Sequence, residues 1–301
     1  MLLTILTLTS FAVLVRIIAN PLSNVFQKQL TQRAANPLFI MSVTYGVLTL
    51  VGLIFWPQLR FYGLSIEFWQ SMLVSSLFAM FGNVFLVRAM HIGDLSVLGP
   101  INAYKAVVGM LFSIFLLNEI PGWWGLAGVV LIVAGSYVVL NDKQQRSGSE
   151  NLSTNGLFQR PEVRLRLAAL VLSAIDGAFL KKAIILSTPT IAFFYWCVLG
   201  FGFTFVWISL TMRTTWRSQV EVLLSQKTTY LALCAAVGVT QMASNIALAN
   251  MPVGYALALF QISALVSVLF GYQFFSEQGI LRKLIGAGIM VAGAVLITVL
   301  G

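Results

Sequence analysis

Residues Ala89–Tyr137, AMHIGDLSVLGPINAYKAVVGMLFSIFLLNEIPGWWGLAGVVLIVAGSY, and Ala247–Val295, ALANMPVGYALALFQISALVSVLFGYQFFSEQGILRKLIGAGIMVAGAV, read as one helix pair written twice. A constant shift lays Glu119 on Glu277, Gly128 on Gly286 and Val133-Ala134-Gly135 on Val291-Ala292-Gly293. Ala89/Ala247, Val108/Val266, Leu111/Leu269 and Phe112/Phe270 coincide as well. Apolar matches are cheap in so hydrophobic a chain, so the weight rests on the spaced Glu…Gly…Val-Ala-Gly frame. Two hydrophobic halves with a weak internal repeat are the usual sequence trace of a secondary transporter.

The rest of the chain agrees with that class. Of 301 residues, 59% are hydrophobic and 9% charged, with a mean hydropathy of +0.92. A water-soluble domain needs far more charge to cover its surface, so lipid is the expected solvent. Runs of about 20 apolar residues suffice to cross a hydrocarbon core as helix. Ten are expected, at about 3–26, 37–56, 67–90, 95–116, 121–140, 164–186, 190–212, 229–250, 253–275 and 280–300. Barrel-type alternation is absent. Met1–Ser10 carries no basic residue and no cleavage site follows, so it reads as part of the first span and not as a signal peptide. The fold expected is an all-α membrane protein of ten transmembrane helices arranged as two inverted five-helix repeats. The first repeat occupies 1–140, a polar linker 141–163 and the second repeat 164–301. An odd number of spans per repeat forces the halves into opposite orientations, the basis of alternating access.

The net charge of +9 is scattered over short loops and forms no long basic run, which argues against nucleic acid. Lys28, Arg33, Arg88, Lys143, Arg146, Arg160, Arg164, Arg166, Arg213, Arg217, Lys227, Arg282 and Lys283 fall in loops on one side, against Arg60 and the Lys181/Lys182 pair on the other. By the positive-inside rule both termini are then outside. Met212–Thr228 reads as a loop or an interfacial segment. Cys197 and Cys234 fall inside spans and read as packing residues. With His91 as the single histidine, no metal site is expected, and no cofactor. There is no Walker loop and no Gly-x-Ser-x-Gly element, so neither ATP-driven transport nor an intramembrane enzyme is favoured.

A Glu between the fourth and fifth spans, followed by the Gly…Val-Ala-Gly frame and repeated between the ninth and tenth, resembles the EamA-type drug/metabolite transporter superfamily. In helix count and repeat plan the resemblance covers all 301 residues; its specific motif occupies Glu119–Gly135 and Glu277–Gly293. It implies ten helices, a central cavity walled by helices other than the fifth and tenth, and a carrier of small organic solutes that leans toward export. It also implies cytoplasmic termini, opposite to the charge bias. Glu119 and Glu277 precede the fifth and tenth helices, where a carboxylate suits the positive end of a helix dipole, so a structural part is expected of them.

Ionisable and amide groups inside spans are costly and mark candidate sites. Arg16, Asn20, Ser23, Asn24 and Gln27 recur at helical spacing down one face of the first span, with Pro21 interrupting that helix. The fourth span offers Asn102 and Lys105 after Pro100, the third Asn83, the eighth Gln241 and Asn245, the ninth Gln261. Asp176 lies near the middle of the sixth span. If these faces converge, Arg16, Lys105 and Asp176 share a wet central site of net charge +1. Such a site suits a solute with an anionic group, an amino acid or organic acid, with a proton as candidate coupling ion at Asp176. The expected substrate contacts are Arg16, Asn20, Asn83, Asn102, Lys105, Gln241, Asn245 and Gln261. Partners beyond substrate and membrane lipids are not called for; the chain is read as a monomer or homodimer in a bacterial cytoplasmic (inner) membrane. The alternatives are a multidrug exporter, a passive channel and a lipid translocator.

Overall fold

A computed structural model describes residues 2–59, 63–93, 104–120, 122–140, 161–276 and 280–300 of the chain. About 90% of it is helical, and the described residues contain no strand. The helices are α1 (Leu2–Gln32), α2 (Pro37–Gly52, continued by a 3-10 turn over Leu53–Gln58), α3 (Ile66–Ile92), α4 (Tyr104–Leu117), α5 (Trp123–Leu140) and α6 (Pro161–Ile185). They continue as α7 (Pro189–Thr211), α8 (Trp216–Ser225), α9 (Lys227–Asn250), α10 (Val253–Leu259), α11 (Ser263–Phe275) and α12 (Ile280–Leu300). Asn102, Glu277, Pro100 and the 141–160 part of the linker lie outside the described residues.

Local chemistry sets the starts of three helices. The Asn36 side chain accepts the Leu38 N–H at 2.9 Å, and Pro37, with no N–H to satisfy, takes the first position of α2. Ser65 accepts from Phe68 N at 3.2 Å to open α3, and Thr188 accepts from Ile191 N at 3.2 Å to open α7, again with a proline next. Pro21 does not interrupt α1, which runs unbroken to Gln32 and so takes Lys28 into the helix. The loop expected over Met212–Thr228 contains α8, whose Gln219 is buried. That side chain donates to the Ala34 carbonyl at 3.2 Å and accepts from Asn36 N at 2.7 Å, clamping α8 to the turn between α1 and α2.

The polarity of the molecule is inverted relative to a soluble protein. Arg16, Asn24, Gln27, Ser75, Asn245 and Gln261 are buried, whereas Phe115, Ile120, Trp123 and Leu210 are more than 70% exposed. An apolar exterior of this extent needs a lipid solvent. Among the described residues five helical stretches are long and apolar enough to span a bilayer: Thr7–Gln32, Ile66–Ile92, Pro189–Thr211, Lys227–Asn250 and Val253–Phe275. Shorter apolar helices accompany them, including Pro37–Gly52 and Tyr104–Leu117. The chain is an integral membrane protein.

Helices from the two halves of the chain pack in pairs: α1 along α9, α2 along α7, α3 along α6, α4 against α10, and α5 along α12. The α5–α12 seam depends on missing side chains. A Cβ on Gly135 would sit 2.5 Å from the Gly286 carbonyl oxygen, and one on Gly293 would sit 2.5 Å from that of Gly128. In lipid, where burial of apolar surface does not drive helices together, such close backbone approach is a main source of association. We predict that Gly135→Val destabilises the detergent-solubilised protein by roughly 1–3 kcal/mol through overpacking. Gly288→Ala, with no atom within 4 Å of the new methyl, should leave the unfolding midpoint unchanged or slightly raised.

Candidate functional site

The ninth expected span is not one continuous helix. α10 ends at Leu259, a 3-10 turn covers Phe260–Ile262, and α11 resumes at Ser263. The Gln261 amide donates to the Leu257 carbonyl at 2.8 Å, and Ser263 Oγ donates at 2.6 Å to the Phe260 carbonyl, which the Ser263 N–H also bonds. The turn places the Phe260 ring against α1. There the Arg16 guanidinium carbon stands 3.7 Å above the ring centroid, and Arg16 Nε donates to Ser244 Oγ of α9 at 2.9 Å. Phe260, Arg16 and Ser244 form one wall of a cavity of about 130 Å³ between the two halves of the chain.

The stripe on α1 faces this cavity along its length: Arg16, Asn20, Ser23, Asn24 and Gln27 all line it. Lys105 of α4 and Asp176 of α6 line it too, so the three ionisable residues expected near mid-membrane meet in one space. Ser75 Oγ of α3 donates to Asp176 Oδ1 at 2.6 Å, which fixes the carboxylate. Asn83 lines the cavity while donating to Tyr45 Oη at 3.0 Å, and Tyr45 stands edge-on to Trp196 with centroids 4.8 Å apart. Tyr45 has room because residue 200 is glycine, where a Cβ would come within 2.9 Å of the ring.

Two of the candidate residues sit elsewhere. Asn245 is fully buried behind the cavity, accepting from Gln241 Nε2 and donating to the Pro189 carbonyl, both at 3.0 Å. Gln261 is spent on the backbone of its own turn, and its neighbour Phe260 lines the cavity instead. Asn102 lies outside the described residues. Gln241 lines the cavity. Glu119 does not cap the helix that follows it; its carboxylate crosses to the second half of the chain, where it meets Lys181 and accepts the Val253 N–H at 2.8 Å.

Sequence reading missed Tyr45, Trp196, Ser244 and Arg166. Tyr45 and Trp196 stand in apolar runs and gave no signal. On α9 the lining stripe is Val237, Thr240, Gln241, Ser244 and Leu248. A polar face through Gly238, Gln241 and Asn245 has the same helical spacing, and spacing alone does not separate the two. Arg166 was counted with the loop cations, but α6 begins at Pro161 and holds Arg166 only 5% exposed on the cavity. Ten residues separate it from Asp176, about 15 Å along the helix.

Among the described residues the lining therefore carries Arg16, Lys105 and Arg166 against one acid, Asp176, a formal charge of +2 with all four ionised. Asp176, Arg16 and Arg166 all act on Lys105 through space. Nη1 of Arg16 is buried with no hydrogen-bond partner among the described residues, as are Nε1 of Trp196 and Oε1 of Gln27. We predict that Asn245→Leu lowers stability by roughly 1–3 kcal/mol, because the Pro189 carbonyl and Gln241 lose their partner in a dry interior.

Comparison with known proteins gives a fold and, over part of the chain, a family likeness. A solved crystal structure superposes with a TM-score of 0.70 at 17% identity, covering 97% of both chains, a likeness that speaks for the fold alone. No curated protein matches the chain significantly. The model of the EamA-like transporter family matches residues 8–141, the segment that carries α1 to α5, and it is to this family of membrane transporters that the chain is similar.

Proposed function

We propose that this protein is a secondary active transporter that moves a small organic solute with an anionic group across a bacterial cytoplasmic membrane by alternating access. The observation that carries the reading is the seat of Arg16. A guanidinium in a lipid-embedded protein is costly, and here it is held by Phe260 and Ser244, with Nη1 lacking a hydrogen-bond partner among the described residues, in the wall of a cavity whose described lining is net positive. Arg16 and Lys105 hold the anionic group, Asn20, Asn83 and Gln241 orient the solute, and Asp176, poised by Ser75, is the counter-ion or the carrier of a coupled proton.

The pairing of helices supports two five-helix repeats of opposite orientation. If α1 to α3 correspond to α6, α7 and α9, α4 to the broken α10–α11, and α5 to α12, the exchange turns the α1–α9 pair into the α6–α3 pair. The α2–α7, α4–α10 and α5–α12 pairs are each returned to themselves. Export is favoured over uptake through the family resemblance. A multidrug exporter of lipophilic cations is disfavoured, since among the described residues the one acid of the cavity faces three cations. A channel or lipid translocator is disfavoured by the unequal halves of the lining: Lys105 corresponds to Ser263. The EamA-like match also points away from an enzyme.

The test compares extracellular metabolites from cells over-producing the parent protein, Lys105→Ala and Arg16→Gln. An amino acid or organic acid that accumulates outside with the parent alone is the expected result. In vesicle counter-flow, Arg16→Gln should raise the half-saturation concentration of that solute about a hundredfold, the loss of a desolvated charge-assisted contact. Equal accumulation with all three proteins would remove both cations from the site. A neutral or cationic solute as the transported species would overturn the anion reading.

A further inference from the structure

A charged staple stands beside one end of the cavity. Along α6, Leu180 lines the cavity and Lys181, next in the chain, is only 7% exposed. Lys181 forms an ion pair with Glu119 in the turn between α4 and α5. Each partner has a second contact with the turn between α9 and α10: Lys181 Nζ donates to the Met251 carbonyl at 2.8 Å, and Val253 N donates to Glu119 Oε2 at 2.8 Å. Three charge-assisted contacts thus join three segments drawn from both halves of the chain. Behind them α4 and α10 meet without a gap. A Cβ on Gly109 would fall 2.3 Å from Leu257, itself part of the lining, and one on Gly254 would fall 3.0 Å from Met110. The cavity instead extends the other way along α6, toward Arg166.

We propose that the Glu119–Lys181 pair is a latch: intact, it seals this end of the cavity, and the transport cycle breaks it to admit or release solute here. The inference rests on the carrier reading, since only a carrier needs this end to open. An ion pair suits a seal that must be reversible. While dry it holds firmly, because an unpaired buried charge is costly; once water enters, both partners are solvated and the loss is largely offset. An apolar seal of the same extent would have to expose its surface to water at every opening.

The experiment uses the full chain in sealed membranes with Cys197→Ala and Cys234→Ala, and Leu248→Cys as reporter. Leu248 lines the cavity three residues before Met251. A membrane-impermeant maleimide is applied to each side separately, with no solute present. With the latch intact the reporter should label slowly from the latch side. Glu119→Gln, which keeps an acceptor for Val253, and Lys181→Met, which keeps the apolar stem, should each speed labelling from that side about tenfold or more. Either variant suffices should the other not be produced as a monodisperse species. Labelling rates equal to the parent's from that side overturn the latch, whatever the transport. Absence of counter-flow by the parent protein overturns the carrier reading, whatever the labelling.

Discussion

Arg16 has to be dissolved by protein, because the lipid around α1 will not dissolve it. Much of the interior follows from that requirement. Ser244 must face α1 from α9, Phe260 must be turned toward it, and the helix that carries Phe260 must change its winding there to do so. The polar stripe of α1 then faces Thr44 of α2, Asn83 of α3, Lys105 of α4, Asp176 of α6 and Gln241 of α9 across the cavity, and apolar residues are displaced to the outer surface. A leucine at position 16 would leave Ser244 and Phe260 without the group that they hold.

The broken α10–α11 segment and the staple at Glu119 act on the same short stretch of chain from its two ends. Val253 begins α10 with its N–H on a carboxylate from the other half, and Phe260 ends it beneath a guanidinium also from the other half. α10 spans only seven residues, about 10 Å, between these two charged groups. A displacement at one end is therefore felt at the other within two turns of helix. Gly109 and Gly254 tighten the coupling by removing the slack that side chains would leave between α4 and α10.

The helical membrane class and the inward turn of its charges were legible in the sequence because a bilayer leaves few alternatives: twenty apolar residues in a row must be helix, and a charge among them must turn inward. Thus α1's stripe and the meeting of Lys105 with Asp176 were readable from spacing alone. Arg166 was not, since a cation near a predicted boundary looks the same whether the helix begins before it or after it. Asn245 and Gln261 carry the amide expected of a binding residue, but backbone carbonyls at Pro189 and Leu257 claim them first, and those carbonyls are available only through the fold. Glu119 stood out as a repeated residue; its partner, 62 positions away on α6, left no mark in the local pattern.

The glycine seam between α5 and α12 has a history written into it. Gly135 is held against the carbonyl of Gly286, and Gly293 against that of Gly128. The shift that superposes the two halves of the sequence carries 128 to 286 and 135 to 293, so each of these contacts is the image of the other. Such reciprocity is the mark of an isologous contact, in which a surface recognises a second copy of itself. A chain of half this length could make the same seam with its twin. Tethering the twins in one polypeptide would free each to differ, as lysine at 105 and serine at 263 do.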